Sequence, residues 1–450
     1  MTPEDTIAAI ATAVAPGEGS VAIVRLSGPS AEPIARRLFR APGQQVWESH
    51  RVLYGHVVDP ASGERLDEAL LLLMRAPRSF TREDVVEFHC HGGLIAVERV
   101  LEQVLVAGAR RALPGEFSQR AFLNGRLDLT RAEAVSELIT ARSRRAAQLA
   151  MAGLDGGLAR RMGQLRGRLL DQLAELEARV DFEEDLPPLD GEAVAAELAL
   201  VRQELRALVA EADQGRLLRE GLKVAIIGRP NVGKSSLLNA LSGSERAIVT
   251  DQPGTTRDLV ESELVLRGVP LTLLDTAGIR ATEDPVERLG IERSRQALAA
   301  ADVVLLLFDL TEGWGEGDQV LRSQVPAQVP LLVVGNKADQ AAAGPLEPAD
   351  VAISALGRTG LEDLAERLLE RCGASLGSGL EVALNRRQAD LAAEAAVALD
   401  RSLEAAGQGL PWDFWTIDLR QAARSLGAIT GAEVSEAVLD RVFSRFCIGK

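Results

Sequence analysis

The stretch KVAIIGRPNVGKSSLLNAL places Gly228, Gly233, Lys234 and Ser235 in the spacing G-x4-G-K-S, between an apolar run and a run of helical period. A loop of this kind curls successive backbone N–H groups toward one point, where they hold phosphate oxygens at a helix N-terminus. Asn231 and Val232 complete the curl, Lys234 brings a cation to the β/γ oxygens, and Ser235, followed by Ser236, offers a hydroxyl to Mg²⁺. Further along, LTLLDTAG ends an apolar run at Asp275, placed for the Mg²⁺ shell, with Thr276, Ala277 and Gly278 near a γ-phosphate. PLLVVGNKAD supplies Asn336, Lys337 and Asp339. A carboxylate at Asp339 accepts both N–H groups on the edge of guanine, where adenine presents the wrong pattern. ISAL adds a tight turn at Ser354, Ala355 and Leu356 whose backbone reaches toward the base. These elements, in this order, imply GTP.

Between the phosphate loop and Asp275 lies VTDQPGTTRD, with Thr250, Asp251, Gln252, Pro253, Gly254, Thr255 and Thr256. It is polar and glycine-bearing, as a loop that orders on nucleotide must be. Thr255 and Thr256 are candidates to reach Mg²⁺ and the γ-phosphate. After DTAG stands Ile279, where Ras-like enzymes carry the glutamine that orients water. An apolar side chain cannot do that, so hydrolysis needs another group, in cis or in trans. Asn231 has two readings: a turn residue, or a ligand for a monovalent cation beside the phosphates.

At 450 residues the chain is too long for one small GTPase domain and predicts several cores. It is 46% hydrophobic and 26% charged, with a net charge of −15, which argues against a tight, sequence-independent grip on nucleic acid. An RNA substrate would need a local basic patch or a basic partner. Three dispersed cysteines give no disulfide framework and suit a reducing compartment. The N-terminus has acids where a signal peptide needs basic residues, and the apolar runs fall short of the ~18 residues of a membrane span. The expectation is a cytoplasmic protein.

The fold class expected is multidomain α/β. Residues 1–118 read as a mixed α+β unit with strands at VAIVRLSG, RVLYGHVVD, EALLLLMRA and DVVEFHCHGG, and a helix from Leu94 to about Val106. Residues 119–215 are alanine- and leucine-rich with helical period, including RAEAVSELITARSRRAAQLAMAGL. Residues 216–378 alternate strands and helices as a Ras-like P-loop domain, and 379–450 are helical again. The simplest account is a helical domain carrying an inserted α/β domain. In FHCHGG, His89 and His91 share one strand face while Cys90 points away, which disfavours a common metal. The ending FCIGK sets Cys447 where a prenylation box has its cysteine, but Gly449 stands where that box prefers an aliphatic residue and Lys450 is terminal.

GRPNVGKSSLLNAL, IVTDQPGTTRD, LLDTAGIR, VERLGIERS, NKAD and the terminal FCIGK, on this layout, resemble the tRNA-modification GTPase family (MnmE/TrmE). The resemblance spans the chain. It implies an N-terminal domain that binds 5-formyl-tetrahydrofolate or a related folate and forms a homodimer, with Arg25, Glu87, Arg126 and Lys450 lining the folate site. Arg126 stands where the family's motif has lysine, a cation of different geometry. It implies that Asn231, Thr250, Gln252 and Thr255 surround K⁺, that Ser235 and Thr256 hold Mg²⁺, and that Glu287 positions the attacking water. Without the family, Glu287 reads as an exposed acid at a helix start. The tail is implied to fold toward the folate site, giving Cys447 a chemical role. Partners implied are tRNA and a flavin-binding protein (MnmG/GidA) in a hetero-oligomer, with no membrane. Together they would add an aminomethyl or carboxymethylaminomethyl group at C5 of wobble uridine. The competing reading is a ribosome-assembly or signalling GTPase without folate chemistry.

Overall fold

The computed structural model describes residues 5–15, 17, 19–182, 189–242, 261–275, 296–341, 347–373 and 383–449. The chain divides into two compact units. One comprises Met1–Ser136, Leu158–Arg166 and Leu426–Lys450, the other Glu137–Gly157 and Gly167–Ser425.

The first unit is built on strands β1 (Ile7–Ile10), β2 (Val21–Ser27), β3 (Phe39–Arg40), β4 (Arg51–Val58), β5 (Arg65–Met74), β6 (Val85–His91) and β7 (Arg110–Arg111), in the sheet order β3-β4-β5-β6-β2-β1-β7. Neighbours are antiparallel except the β1–β7 pair. Alternation in β2 turns Ala22, Val24 and Leu26 into the core and leaves Arg25 on the other face. Helices α1 (Ala31–Leu38) and α2 (Leu94–Val106) cover the core face. In α2 the positions Val97, Val100, Leu101 and Val104 form the buried stripe, each side chain contributing about 1.5–3 kcal/mol on burial. Helix α3 (Glu116–Leu123) follows the sheet, and the C-terminal helix Glu436–Phe443 packs Leu439 and Phe443 with Leu129 and Phe446.

The expected strands and the helix from Leu94 lie where the sequence put them. The stretch from Arg131 read as helical is divided between two helices, Leu129–Thr140 and Arg144–Leu154. The Ser143 hydroxyl accepts from the Ala146 N–H at 3.1 Å and caps the second helix.

In the second unit the long helix α4 (Gly191–Glu220) packs along the helix Arg386–Gly407. The chain leaves α4 at Gly221 and enters a six-stranded sheet made of β8 (Leu222–Gly228), β9 (Glu261–Leu266), β10 (Val269–Asp275), β11 (Val303–Asp309), β12 (Leu331–Asn336) and β13 (Val351–Ala352), ordered β13-β12-β11-β8-β10-β9. All pairs are parallel except β9–β10. Strands β8 and β11 are near-continuous apolar runs because both sheet faces are covered. Arg219 holds the entry and exit of this sheet domain together: it donates to the carbonyls of Ala383 and Leu384 and pairs with Glu137 at 2.8 Å.

Glu32 on α1 accepts from Arg75 at 2.8 Å and from Arg36 at 2.6 Å. The Arg75 hydrogen bond, more than any other cause, brings its carboxyl down from 4.5 to about 2. A folded-state pKa below the unfolded one gives stability that is present above about 4.5 and lost as pH falls toward about 2. Glu32→Gln should therefore remove about 1–2 kcal/mol of local stability at neutral pH, after allowance for solvent screening, and flatten the acid loss. Hydrogen exchange in α1 at pH 7 and pH 3 measures both. Equal acid sensitivity in the two proteins would remove Glu32 from this role.

Candidate nucleotide site and C-terminal tail site

Strand β8 delivers the phosphate loop, and helix α5 (Lys234–Ser242) follows it. Asn231 and Gly233 both adopt positive φ, at 62° and 98°. Glycine is required at 233, since a Cβ there would stand 2.3 Å from the Asn336 Nδ2. The Lys234 ammonium donates to the carbonyls of Gly228 at 2.7 Å and Arg229 at 2.9 Å, so it is held at the loop it must serve. Ser235 and Ser236 are exposed on the first turn of α5, and Val232 is buried beneath the loop.

Asn336, at the end of β12, is buried. Its Nδ2 donates to the Val232 carbonyl at 2.8 Å, and its Oδ1 accepts from the Ala355 N–H at 3.0 Å. It ties the phosphate loop to the ISAL turn. Lys337, at φ 64°, donates to Asp309 at 2.6 Å. Burial pushes the Asp309 carboxyl up, but hydrogen bonds from Lys337 and Thr311 outweigh it and hold the group below the usual carboxylate range. Asp339 is exposed, with its pKa lowered first by the hydrogen bond from Ser354. It is thus an ionised acceptor on the rim. The Ser354 hydroxyl also accepts from the Gly357 N–H at 2.9 Å, which shapes the turn that leaves Leu356 exposed.

Strand β10 ends at Asp275, whose backbone pairs in register with Ile226 beside the phosphate loop. Its side chain, Thr250, Asp251, Gln252, Pro253, Gly254, Thr255, Thr256, Thr276, Ala277, Gly278, Glu287 and Lys450 lie outside what the structure describes. Arg229, Asp309, Thr311 and Asp318 were not anticipated. The one available signal was GEGD: an acid three residues after Gly315 fits a helix cap, and Asp318 Oδ2 does accept from the Gly315 N–H at 3.0 Å.

In the first unit, Arg25 on β2 and Glu87 on β6 are directly opposed in register and pair at 2.7 Å. The other Glu87 oxygen meets His89 Nε2 at 3.2 Å. The tail comes to the same place: Arg25 Nη1 donates to the Gly449 carbonyl at 3.1 Å, and the Gly115 N–H donates to the Cys447 carbonyl at 3.3 Å. Gly449 has φ 92°, and a Cβ there would stand 2.7 Å from the Ile10 carbonyl oxygen, so glycine lets the tail lie this close to β1. Phe446 is buried, while Cys447 and Ile448 are exposed. Arg126 donates to the Ser79 carbonyl at 2.9 Å with its guanidinium over the Phe80 ring. Cys90 is a core residue whose thiol burial pushes up to about 12. His91 is engaged with Asp67 at 2.7 Å. Among the described residues no cluster of three metal-ligating side chains occurs.

Comparison with known proteins bears on the whole chain. A family model described as the MnmE helical domain matches residues 129–447, and one described as the GTP-binding protein TrmE N-terminus matches residues 6–126. The tRNA modification GTPase MnmE of Synechococcus sp. (strain RCC307) is 71% identical over 448 residues, covering 99% of both chains. That of Synechococcus sp. (strain CC9605) is 68% identical over 451 residues, covering 100% of both. That of Prochlorococcus marinus (strain MIT 9303) is 66% identical over 463 residues, covering 99% of this chain and 98% of the relative. A phosphate loop, a guanine-type loop and a tail seated on the N-terminal sheet accompany full-length identity of this order, and the chain belongs to the MnmE (TrmE) family of tRNA-modification GTPases.

Proposed function

We propose that this chain is a potassium-dependent GTPase that acts with a flavin-binding partner of the MnmG/GidA type on the wobble uridine of certain tRNAs. It installs an aminomethyl or carboxymethylaminomethyl group at C5, using a folate one-carbon unit, as a homodimer in the cytoplasm. The coarser part rests on family membership: the chain hydrolyses GTP to GDP and phosphate in tRNA modification. The observation that carries the finer part is the Arg25–Glu87 pair bonded to the carbonyl of Gly449, which gives the FCIGK tail a polar destination on the N-terminal sheet. A ribosome-assembly or signalling GTPase would leave that contact without a use.

The division of labour follows the sequence: 1–118 for folate and dimerisation, 119–215 and 379–450 as the helical domain, 216–378 for GTP. In the nucleotide site Lys234 trades the carbonyls of Gly228 and Arg229 for phosphate oxygens, a short swing from its present position. The exposed Ser235 hydroxyl, with Thr256 and Asp275, would hold Mg²⁺. Asn231, exposed at the crest of the loop, would hold K⁺ with Thr250, Gln252 and Thr255. Hydroxyl, carboxamide and carbonyl oxygens, the last from the backbone of Thr250 and Gln252, are hard donors that suit both ions. When bound, the two cations offset the charge that develops on the phosphates. Asp339 reads guanine, with Asn336, Lys337, Ser354, Ala355 and Leu356 shaping its loops. Glu287 positions the attacking water, the work for which Ile279 has no polar group.

For the folate, the buried Glu87 would accept and the partly exposed Arg25 would donate on one sheet face, a pairing that suits a heterocycle with both kinds of group. Arg126 and Lys450 extend the site. Cys447 is exposed beside it and supplies the reactive thiolate or thiol. A net charge of −15 leaves tRNA binding to the assembly with the partner rather than to this chain alone. Among the described residues no helix is long and apolar enough to cross a membrane.

Potassium should raise GTP turnover well above the rate in sodium at equal ionic strength, because the water-orienting glutamine is absent and Asn231 is placed for a cation. Equal turnover in the two salts, with nucleotide-dependent dimerisation checked by a transition-state analogue, would refute potassium dependence.

Cys447→Ser should abolish wobble-uridine modification while GTP turnover stays within about twofold, since serine keeps the size and loses the thiol chemistry. Mass spectrometry of tRNA nucleosides from cells carrying the variant reads the first effect, and purified-protein hydrolysis the second. Normal modification in those cells would leave the tail a packing element.

A further inference from the structure

We infer that the segment from Asp309 to Asp318 is a positioning bridge that closes a ring of hydrogen bonds around the nucleotide site and so sets how long a guanine nucleotide stays bound. At one end the bridge holds the phosphate loop. Arg229, the first residue after β8, donates from Nε to Asp318 at 2.9 Å, lies 3.1 Å from Glu312 and donates to the Gly313 carbonyl at 3.4 Å. Asp318 is fully buried, and its second oxygen caps the following helix at the Gly315 N–H. The carbonyl of the same Arg229 accepts from Lys234, the phosphate-binding cation.

At the other end the bridge holds the guanine loop. Asp309 accepts from Lys337 at 2.6 Å and from both the Thr311 N–H and hydroxyl, while the Leu310 N–H donates to the Asn336 carbonyl at 3.0 Å. Between the ends, Trp314 packs edge-on against Phe308 at 5.3 Å and fixes the path of the segment. The ring closes through Asn336, which returns to the phosphate loop at the Val232 carbonyl. Two of its members are buried carboxylates, Asp309 and Asp318. Removing the partner of either leaves a charge that the interior cannot solvate. In a closed ring, opening any one link releases the same motion, so the links act as one unit in nucleotide release.

The inference rests on the reading that GTP and GDP bind at this loop, and wild-type binding of a fluorescent GDP analogue checks that reading by itself. Absence of wild-type binding would overturn both. The decisive measurement is the dissociation rate of that analogue by stopped flow from full-length protein carrying Asp309→Asn, Asp318→Asn, or both. Each single variant should release the nucleotide about tenfold faster. The double variant should release it no more than about twofold faster than the quicker single, because the ring is already open. The KM for GTP should rise with dissociation while kcat at saturating GTP stays within about twofold, a split that general destabilisation would not produce. Wild-type dissociation in either single variant, or rates that multiply in the double, would overturn the ring. If Asp318→Asn does not fold, Arg229→Lys, which keeps the cation and loses the Nε donor, replaces it in the same cycle under the same criteria.

Discussion

The carboxamide of Asn336 is the joint on which the nucleotide site depends. It is buried, it donates to the phosphate loop at Val232, and it accepts from the base-side turn at Ala355. Both partners are backbone groups of buried residues, so losing the side chain would strand a donor and an acceptor at about 1–3 kcal/mol each. The phosphate and base subsites therefore cannot be placed independently. The restriction at Gly233 follows from the same joint, because any side chain there would occupy the position of the carboxamide. Lys234, Asp339 and the ISAL turn take their positions from a frame that this one residue closes.

The first unit is organised by a simpler rule. Period-2 alternation buries Ala22, Val24 and Leu26 against α1 and α2 and leaves Arg25 on the opposite face, where register sets it opposite Glu87. The partly exposed arginine beside the buried carboxylate is thereby within reach of a chain segment. The C-terminal residues use that opportunity. Phe446 anchors in the cluster of Leu129, Leu439 and Phe443, and Gly449 brings its carbonyl to Arg25. Residues 424 positions apart in sequence thus become neighbours. Burial of Phe446 beside exposure of Cys447 leaves a seated tail with an accessible thiol.

Much of this was legible in the sequence because its signals are local. The phosphate loop, the strand into it and the helix after it lie within one stretch, and β2, β4, β5, β6 and α2 announce themselves by period. The rest was not legible for physical reasons. The strand Ile7–Ile10 is too short for a period and sits among alanines. The break before Arg144 is marked by the cap at Ser143, a signal that the helical composition around it masks. The roles of Arg229, Asp309 and Asp318 are long-range pairings that no spacing encodes. Asn336 was read with Asp339 in the base-reading motif, and the bonds of its amide to Val232 and Ala355 are long-range contacts that the motif does not spell out. Arg126 was read toward the folate site, and its contacts with the Ser79 carbonyl and the Phe80 ring are long-range ones that the motif does not spell out.

The account treats GTP hydrolysis in one unit and the tail-bearing sheet of the other as parts of one tRNA-modifying enzyme. The most direct test is nucleoside analysis of tRNA from cells that lack this chain, complemented either with the wild-type gene or with Lys234→Ala. The account predicts that C5-modified wobble uridine is lost without the chain, returns with the wild type, and does not return when the phosphate-binding lysine is missing. Unchanged wobble modification in cells that lack the chain would contradict it.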